Sequence, residues 1–248
     1  MLSASGLALR YGSTVALRSA SVTVAPGETL AITGPSGSGK TSLLYCLSGL
    51  VVPDSGSVLL DGVIDVHRLT DWERSDLRRS RFGFVFQFAE LVPELTLREN
   101  VELPLSLNKV SHRSRKSRVA DLVSRFGLED CADRRPATVS GGQAQRAAVA
   151  RAMAHRPAVV FGDEPTGALD GESGEVVLGA MLAHAEEDGA AVVLVTHSDL
   201  VAARADRVVA VRDGETRSLC RCVSLADCFL GPDRPAGSDP PASCSCCC

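Results

Sequence analysis

The sequence predicts an α/β fold: a mostly parallel sheet built around a glycine-rich loop, with an N-terminal antiparallel β-subdomain and an inserted helical subdomain. Three observations carry this. A glycine-rich turn, Gly34-Pro35-Ser36-Gly37-Ser38-Gly39-Lys40-Thr41-Ser42, joins an apolar strand to an apolar helix. Two later apolar runs, residues 158–161 and 190–195, are separated by a helical stretch, the rhythm of strands buried on both faces. Between the turn and these runs, from Glu94 to Arg156, the pattern becomes helical.

In chain order, residues 7–12 read as a short strand ending in a turn. Residues 15–24 read as a second, with Val22 and Val24 alternating before Pro26-Gly27. Thr29–Thr33 is the buried strand before the loop, and residues 43–47 open the helix after it. Residues 56–60, followed by Asp61-Gly62, form a strand and tight turn that complete the antiparallel part. Residues 70–80 are charged and helical, and residues 82–86 return as a strand ending at Gln87. A helix over 97–107 is expected to break at Pro104. Residues 111–126 place Val119, Leu122, Val123 and Phe126 at helical spacing, with Arg113, Arg115, Lys116 and Arg118 read as a solvated basic face. Alanine-rich 147–153, helix 172–187, a short helix near Leu200 and strand 207–211 complete the reading. The folded part is expected to span residues 1–218, with the helical subdomain over about 88–155.

Composition narrows the function. Apolar residues make up 45% and aromatics only 4%, which implies an aliphatic core; a net charge of −4 gives no reason to expect nucleic acid. The basic run has no interleaved aromatics, so an RNA-binding stripe is not the reading preferred. No apolar run approaches membrane-spanning length, and no export pattern opens the chain. Cys46 and Cys131 stand alone, whereas Cys220, Cys222, Cys228, Cys244, Cys246, Cys247 and Cys248 crowd a Pro-, Gly- and Ser-rich tail, 219–248. That tail is expected to be disordered and dispensable. Soft-metal binding by its thiolates is the sharper alternative, with no C-x₂-C pair or histidine to complete a site.

The chemistry converges on phosphate. In G-x-x-x-x-G-K-[ST], glycines let successive N–H groups face one anion and the following helix adds its dipole. Lys40 supplies a charge for the β- and γ-phosphates, and Thr41 a hydroxyl for Mg²⁺. Asp163-Glu164 follows an apolar strand, where one carboxylate can hold the metal and its neighbour can activate water. His197 and Gln87 also end apolar strands, where the imidazole can reach a γ-phosphate and the amide can bind Mg²⁺ or water. Ser140-Gly141-Gly142-Gln143 makes a second anion nest, which one chain with one nucleotide does not need unless it serves a neighbouring subunit.

Taken together and in this order, these motifs resemble the nucleotide-binding subunit of an ATP-binding-cassette transporter, over residues 1 to about 218. The resemblance implies that Tyr11 stacks on adenine, that Gly34 to Ser42 hold the phosphates, and that Gln87 joins the core and helical subdomains. It implies that Ser140-Gly141-Gly142-Gln143 is the family signature, Asp163 the magnesium aspartate, Glu164 the catalytic glutamate, Asp170 part of the dimer-contact loop and His197 the switch histidine. ATP and Mg²⁺ are the implied cofactors. The implied partners are a second copy, with ATP sandwiched between the two, and an integral membrane permease at the cytoplasmic face of the membrane. The wording G-F-V-F-Q, L-V-P-E-L-T-L-R-E-N-V-E-L-P-L and D-E-P-T-G-A-L-D is similar to the branch serving macrolide exporters, lipoprotein-release systems and related permeases. Val139, Ala144, Gly162 and Ser198 depart from that pattern without removing a catalytic group; Ala144 in particular lacks an amide expected to pin the signature helix. A non-transport ATPase and a division-related scaffold are the alternative readings. Replacing Lys40 with alanine is expected to abolish ATP binding, and unchanged affinity for a fluorescent ATP analogue would overturn the loop assignment.

Overall fold

The computed structural model describes residues 1–219. The cysteine-rich tail from Cys220 onward, and the expectations attached to it, lie outside the described residues. The chain opens with two long antiparallel strands, β1 (Leu2–Tyr11) and β2 (Thr14–Val24). The largely buried β3 (Thr29–Thr33) feeds the glycine-rich loop and then α1 (Lys40–Leu47). Strand β4 (Ser55–Leu60) pairs antiparallel with β1, and β5 (Ile64–Asp65) with β4. Helix α2 (Asp71–Arg81) starts at a Thr70–Glu73 capping box and runs directly into β6 (Phe82–Val85).

Three helices follow: α3 (Leu97–Leu107), α4 (His112–Arg125) and α5 (Gly141–Met153). The α/β rhythm then resumes with β7 (Val159–Asp163), α6 (Gly171–Asp188), β8 (Ala191–Val195), α7 (Asp199–Ala203), β9 (Arg207–Arg212) and β10 (Glu215–Leu219). The strand order is β5-β4-β1-β2-β10-β9-β3-β8-β7-β6. From β9 to β6 all neighbours are parallel, while β1, β2, β4 and β5 form the antiparallel end. Strand alternation sorts the core into two layers. Val159, Phe161, Ala191, Val193 and Val195 join α1 and the N-terminal strands on one face; Val160, Val192 and Leu194 join α3 to α6 on the other. Phe161 anchors the first layer, edge-on to Phe82 at 5.2 Å between ring centroids.

Four features differ from the sequence expectation. Strand β1 begins at Leu2 rather than Leu7, because its buried positions change phase, Leu2 and Ala4 and then Leu7 and Leu9, across a register shift. Strands β5 and β10 are additional; β10 (Glu-Thr-Arg-Ser-Leu) carries no apolar alternation and is held by its ladder to β9 and by Thr216, whose hydroxyl bonds Ser21 in both directions. Helix α3 continues through Pro104. Its first turn is fixed by a Thr96–Glu99 capping box, and Asn108 closes its last turn by donating to the Pro104 carbonyl, so one missing N–H does not end it. The basic run is not wholly solvated. Arg115 pairs with Glu102 at 2.9 Å, and Arg118 turns inward to Asp188 at 2.7 Å and to the carbonyls of Met153 and Ala154.

Asn100 ties α3 to the segment before it. It is fully buried, accepts from the Val92 N–H at 2.8 Å, and donates to the carbonyls of Val92, Leu95 and Thr96. Asn100→Ala strands those buried groups and is expected to cost about 2–4 kcal/mol. Urea unfolding followed by circular dichroism measures it; a loss below about 0.5 kcal/mol would show that the network does not hold the segment.

Candidate functional site

Because β3, β8, β7 and β6 are parallel, their carboxyl ends share one edge, and each ends in a residue singled out by its chemistry. β3 leads into the glycine-rich loop, β7 ends at Asp163 with Glu164 next, β8 leads to Thr196-His197, and β6 is followed by Phe86-Gln87.

The loop is wrapped tightly. A Cβ at Gly34 would stand 2.2 Å from the Val211 carbonyl oxygen, and one at Gly39 would stand 2.3 Å from that of Ala16. Both residues also have positive φ, so no other side chain fits. Capping boxes close the N-termini of α2, α3 and α5, but α1 has no side-chain cap, which leaves its first N–H groups and positive dipole end open. The Ser38 hydroxyl is buried in the same loop without a protein partner. Lys40 Nζ folds back to the Gly34 and Pro35 carbonyls at 3.0 and 2.8 Å. Burial pushes its pKa down, against the opposing pull of Glu164 and Asp163. An uncapped helix end, an unpartnered buried hydroxyl and a desolvated ammonium fit a polyphosphate.

Asp163 accepts from the Thr41 hydroxyl at 3.3 Å. Burial pushes its carboxyl pKa up, and the Thr41 bond, Lys40 and His197 only partly offset this. Together with Gln87, Tyr45, Phe86, Phe88 and Glu90 it lines a cavity of about 350 Å³. The Thr41 hydroxyl, Asp163 carboxylate and Gln87 amide form an oxygen-donor set that suits a hard divalent cation, whose charge would relieve the desolvated carboxylate. Glu164 has a left-handed backbone, φ 51°, an uncommon state for a residue with a Cβ. Its N–H bonds the Val195 carbonyl at 3.0 Å, and its Oε1 lies 3.2 Å from His197 Nε2. His197 also lines a second cavity, about 420 Å³, with Thr33, Gly34, Pro35, Thr196, Asp199 and Arg212.

Other residues singled out in the sequence stand apart from this cluster. Tyr11 is half exposed at the end of β1. Ser140 caps α5 reciprocally with Gln143, and neither makes a hydrogen bond to the loop over 34–42. Gly141 and Gly142 are helical, and a Cβ on either would meet nothing closer than 3.8 Å, so the packing of this chain does not require them to be glycine. Asp170 is exposed and caps α6 through the Ser173 N–H, which holds its carboxyl below the usual range. The amide that pins α5 is Gln145, not one at position 144: its Nε2 donates to the carbonyls of Phe86 at 2.8 Å and Pro165 at 2.7 Å. Sequence reasoning missed it, although a polar residue at helical spacing from Ala148, Val149 and Ala152 marks a satisfied buried group. Arg151 was missed as well; it holds the Ala89 and Glu90 carbonyls at 3.0 and 2.6 Å.

Comparison with known sequences is consistent with this geometry. A family described as ABC transporter matches residues 17–167. The chain belongs to that family. It is 43% identical over 199 residues to the uncharacterized ABC transporter ATP-binding protein YvrO of Bacillus subtilis, covering 80% of this chain and 86% of the relative. It is 39% identical over 204 residues to the lipoprotein-releasing system ATP-binding protein LolD of Hyphomonas neptunium, covering 82% and 89%. A macrolide export ATP-binding/permease protein MacB of Rhodopseudomonas palustris is 42% identical over 92% of this chain, which spans only 33% of that relative. Among solved structures, the dimeric bacterial ABC transporter cassette MJ0796 superposes with a TM-score of 0.81 at 38% identity, covering 89% of this chain and 99% of that one. The same cassette, as a dimer in a post-hydrolysis state bound to ADP and Pi, gives 0.80 at 37%.

The raised pKa of Asp163 has a thermodynamic sign. An acid whose folded pKa lies above its unfolded value costs stability once pH rises through that folded value, and costs nothing below the unfolded one. Asp163→Asn in this ABC cassette is therefore expected to raise the melting temperature of the nucleotide-free chain at neutral pH. The gain should vanish as pH falls below the ordinary carboxylate range. Differential scanning fluorimetry across pH reads this, and a lower melting temperature at neutral pH contradicts it.

Proposed function

We propose that this chain binds ATP between two copies of itself and hydrolyses it to drive an integral membrane permease docked at the cytoplasmic face of a membrane. The observation that carries the chemistry is the Glu164–His197 contact of 3.2 Å beside the uncapped phosphate loop. Tyr11 stacks on the adenine. The N–H groups of Gly34, Pro35's neighbour Ser36, Gly37, Ser38, Gly39, Lys40, Thr41 and Ser42 surround the phosphates, and Lys40 turns its ammonium from the loop carbonyls toward the β- and γ-oxygens. Thr41, Gln87 and Asp163 would hold Mg²⁺, which would supply positive charge to the polyphosphate. Glu164 accepts a proton from a water whose oxygen attacks the γ-phosphorus, while the bond to the bridging oxygen breaks and ADP leaves with the electron pair. His197 keeps Glu164 oriented and donates toward the γ-phosphoryl oxygens.

The second copy enters through Ser140, Gly141, Gly142 and Gln143. The two glycines put no side chain over the first turn of α5, and the Ser140 hydroxyl that caps this turn would swing to a nucleotide held by the partner's loop; Asp170, exposed at the start of α6, joins the same contact surface. ATP then acts as an adhesive between the copies, and its hydrolysis separates them. The region over 88–155 meets the permease, and Phe88 and Leu107 there stand exposed. Among the described residues no helix is long and apolar enough to cross a membrane. Relatives named for lipoprotein release and macrolide export support export or lipoprotein release as the process that the permease carries out.

Glu164→Gln is expected to bind ATP, to lose about 10²–10³-fold in turnover, and to accumulate as a dimer. Light scattering after size exclusion with ATP and Mg²⁺ tests this; a monomer with wild-type turnover rejects the role. Ser140→Arg is expected to keep ATP binding yet abolish hydrolysis. Mixed with Lys40→Ala it should regain activity, through one composite site formed by the Ser140 of one chain and the Lys40 of the other. Full activity of Ser140→Arg alone rejects the arrangement in trans.

A further inference from the structure

Gln145 sits in the second turn of α5, 2% exposed, and the two hydrogens of its single Nε2 are both committed. One goes to the carbonyl of Phe86, the residue before Gln87, at 2.8 Å; the other goes to the carbonyl of Pro165, the residue after Glu164, at 2.7 Å. One amide thus fastens together the two loops that carry the metal-site glutamine and the general base. The loops also meet at Gly167, where a built Cβ would stand 3.3 Å from Glu164 Cβ and 3.4 Å from Gln87 Nε2. The helix that bears Gln145 begins at Ser140, and a Cβ on Gly142 would lie 3.8 Å from Leu169 in the loop following Pro165.

We propose that Gln145 is a positioning residue for hydrolysis, which sets Gln87 and Glu164 in register with the N-terminus of α5. The proposal rests on the ATPase reading above and extends it. Engagement of Ser140 by the partner's nucleotide shifts α5, and the two short bonds carry that shift into both loops at once. Only a donor can do this, because both partners are carbonyl oxygens. An apolar residue of the same length fills the space but leaves the two loops to settle independently.

The test uses the full chain with ATP and Mg²⁺. Wild-type turnover on the same preparation checks the ATPase reading separately. Gln145→Met is expected to lower kcat on the order of 10- to 100-fold, with KM for ATP within about two-fold, because geometry rather than binding is lost. In a double-mutant cycle with Gln87→Ala the two losses should fall well short of multiplying, since one acts through the other. Gln145→Glu has the same shape and no donor when ionised, but regains one O–H when protonated. Two facing carbonyls raise its pKa, so its rate relative to wild type is expected to climb as pH falls from about 8 to about 6. Wild-type kcat in Gln145→Met, multiplying losses in the cycle, a flat relative pH profile, or parallel loss of kcat, ATP affinity and melting temperature each overturn the proposal. Should Gln145→Met fail to fold, Gln145→His, which keeps one N–H, replaces it in the cycle, where the same multiplication of losses overturns the proposal.

Discussion

The parallel register of β9, β3, β8, β7 and β6 is the constraint on which the rest depends. Parallel strands must all point their carboxyl ends the same way, and each crossover must travel back across a face of the sheet. The loop at Gly34, the carboxylates at 163 and 164, His197 and Gln87 are spread over more than 160 residues of the chain, yet no separate device is needed to gather them. Slipping β7 by one residue against β8 would exchange the two faces of Val159, Val160 and Phe161 and carry Glu164 away from the Val195 carbonyl. The hydrophobic sorting that builds the core therefore also sets the distance between Glu164 and His197.

At this edge the rules that stabilise the remainder are set aside. Helices α2, α3 and α5 close their first turns with reciprocal caps, and α1 leaves its own open. Lys40 and Asp163 are held where burial disfavours their charges, and Glu164 sits in a backbone state that glycine occupies more easily. Each departure costs folding free energy, and each leaves a group ready for a charged ligand. The cost is met by two continuous apolar layers, in which Leu30, Ile32, Val193 and Leu194 are fully buried beneath the site.

What the sequence made legible was local chemistry in a local frame. The glycine-rich loop announces itself because strand, turn and helix are adjacent in the chain. Asp163-Glu164 and His197 are legible because a polar residue interrupts an apolar run where a buried strand must end. What was hidden depends on partners distant in sequence. The first half of β1 breaks alternation at a bulge that only the pairing with β2 explains. β10 lacks any apolar signature, since its ladder to β9 alone defines it. Arg118 looks like its exposed neighbours until Asp188, on another helix, turns it inward. The spacing of Gln145 from Ala148, Val149 and Ala152 marks it as buried, but its partners, the carbonyls of Phe86 and Pro165, lie in distant loops that spacing does not name. Pro104 misled for a related reason: the bonds that keep α3 intact come from Asn100 and Asn108, not from the backbone position that proline vacates.

The inward turn of Arg118 has a mechanical meaning. Its guanidinium joins the carbonyls at the C-terminal end of α5 to His184 and Asp188 on α6, while Gln145 fastens the other end of α5 to the loops at the sheet edge. Helix α5 is thus clamped near both ends and packed along its length by alanines, with no glycine or proline after Gly142 at which to bend. A displacement at the Arg118 end of α5 is delivered to the loops at Phe86 and Pro165 with little lost to flexing, as through a connecting rod.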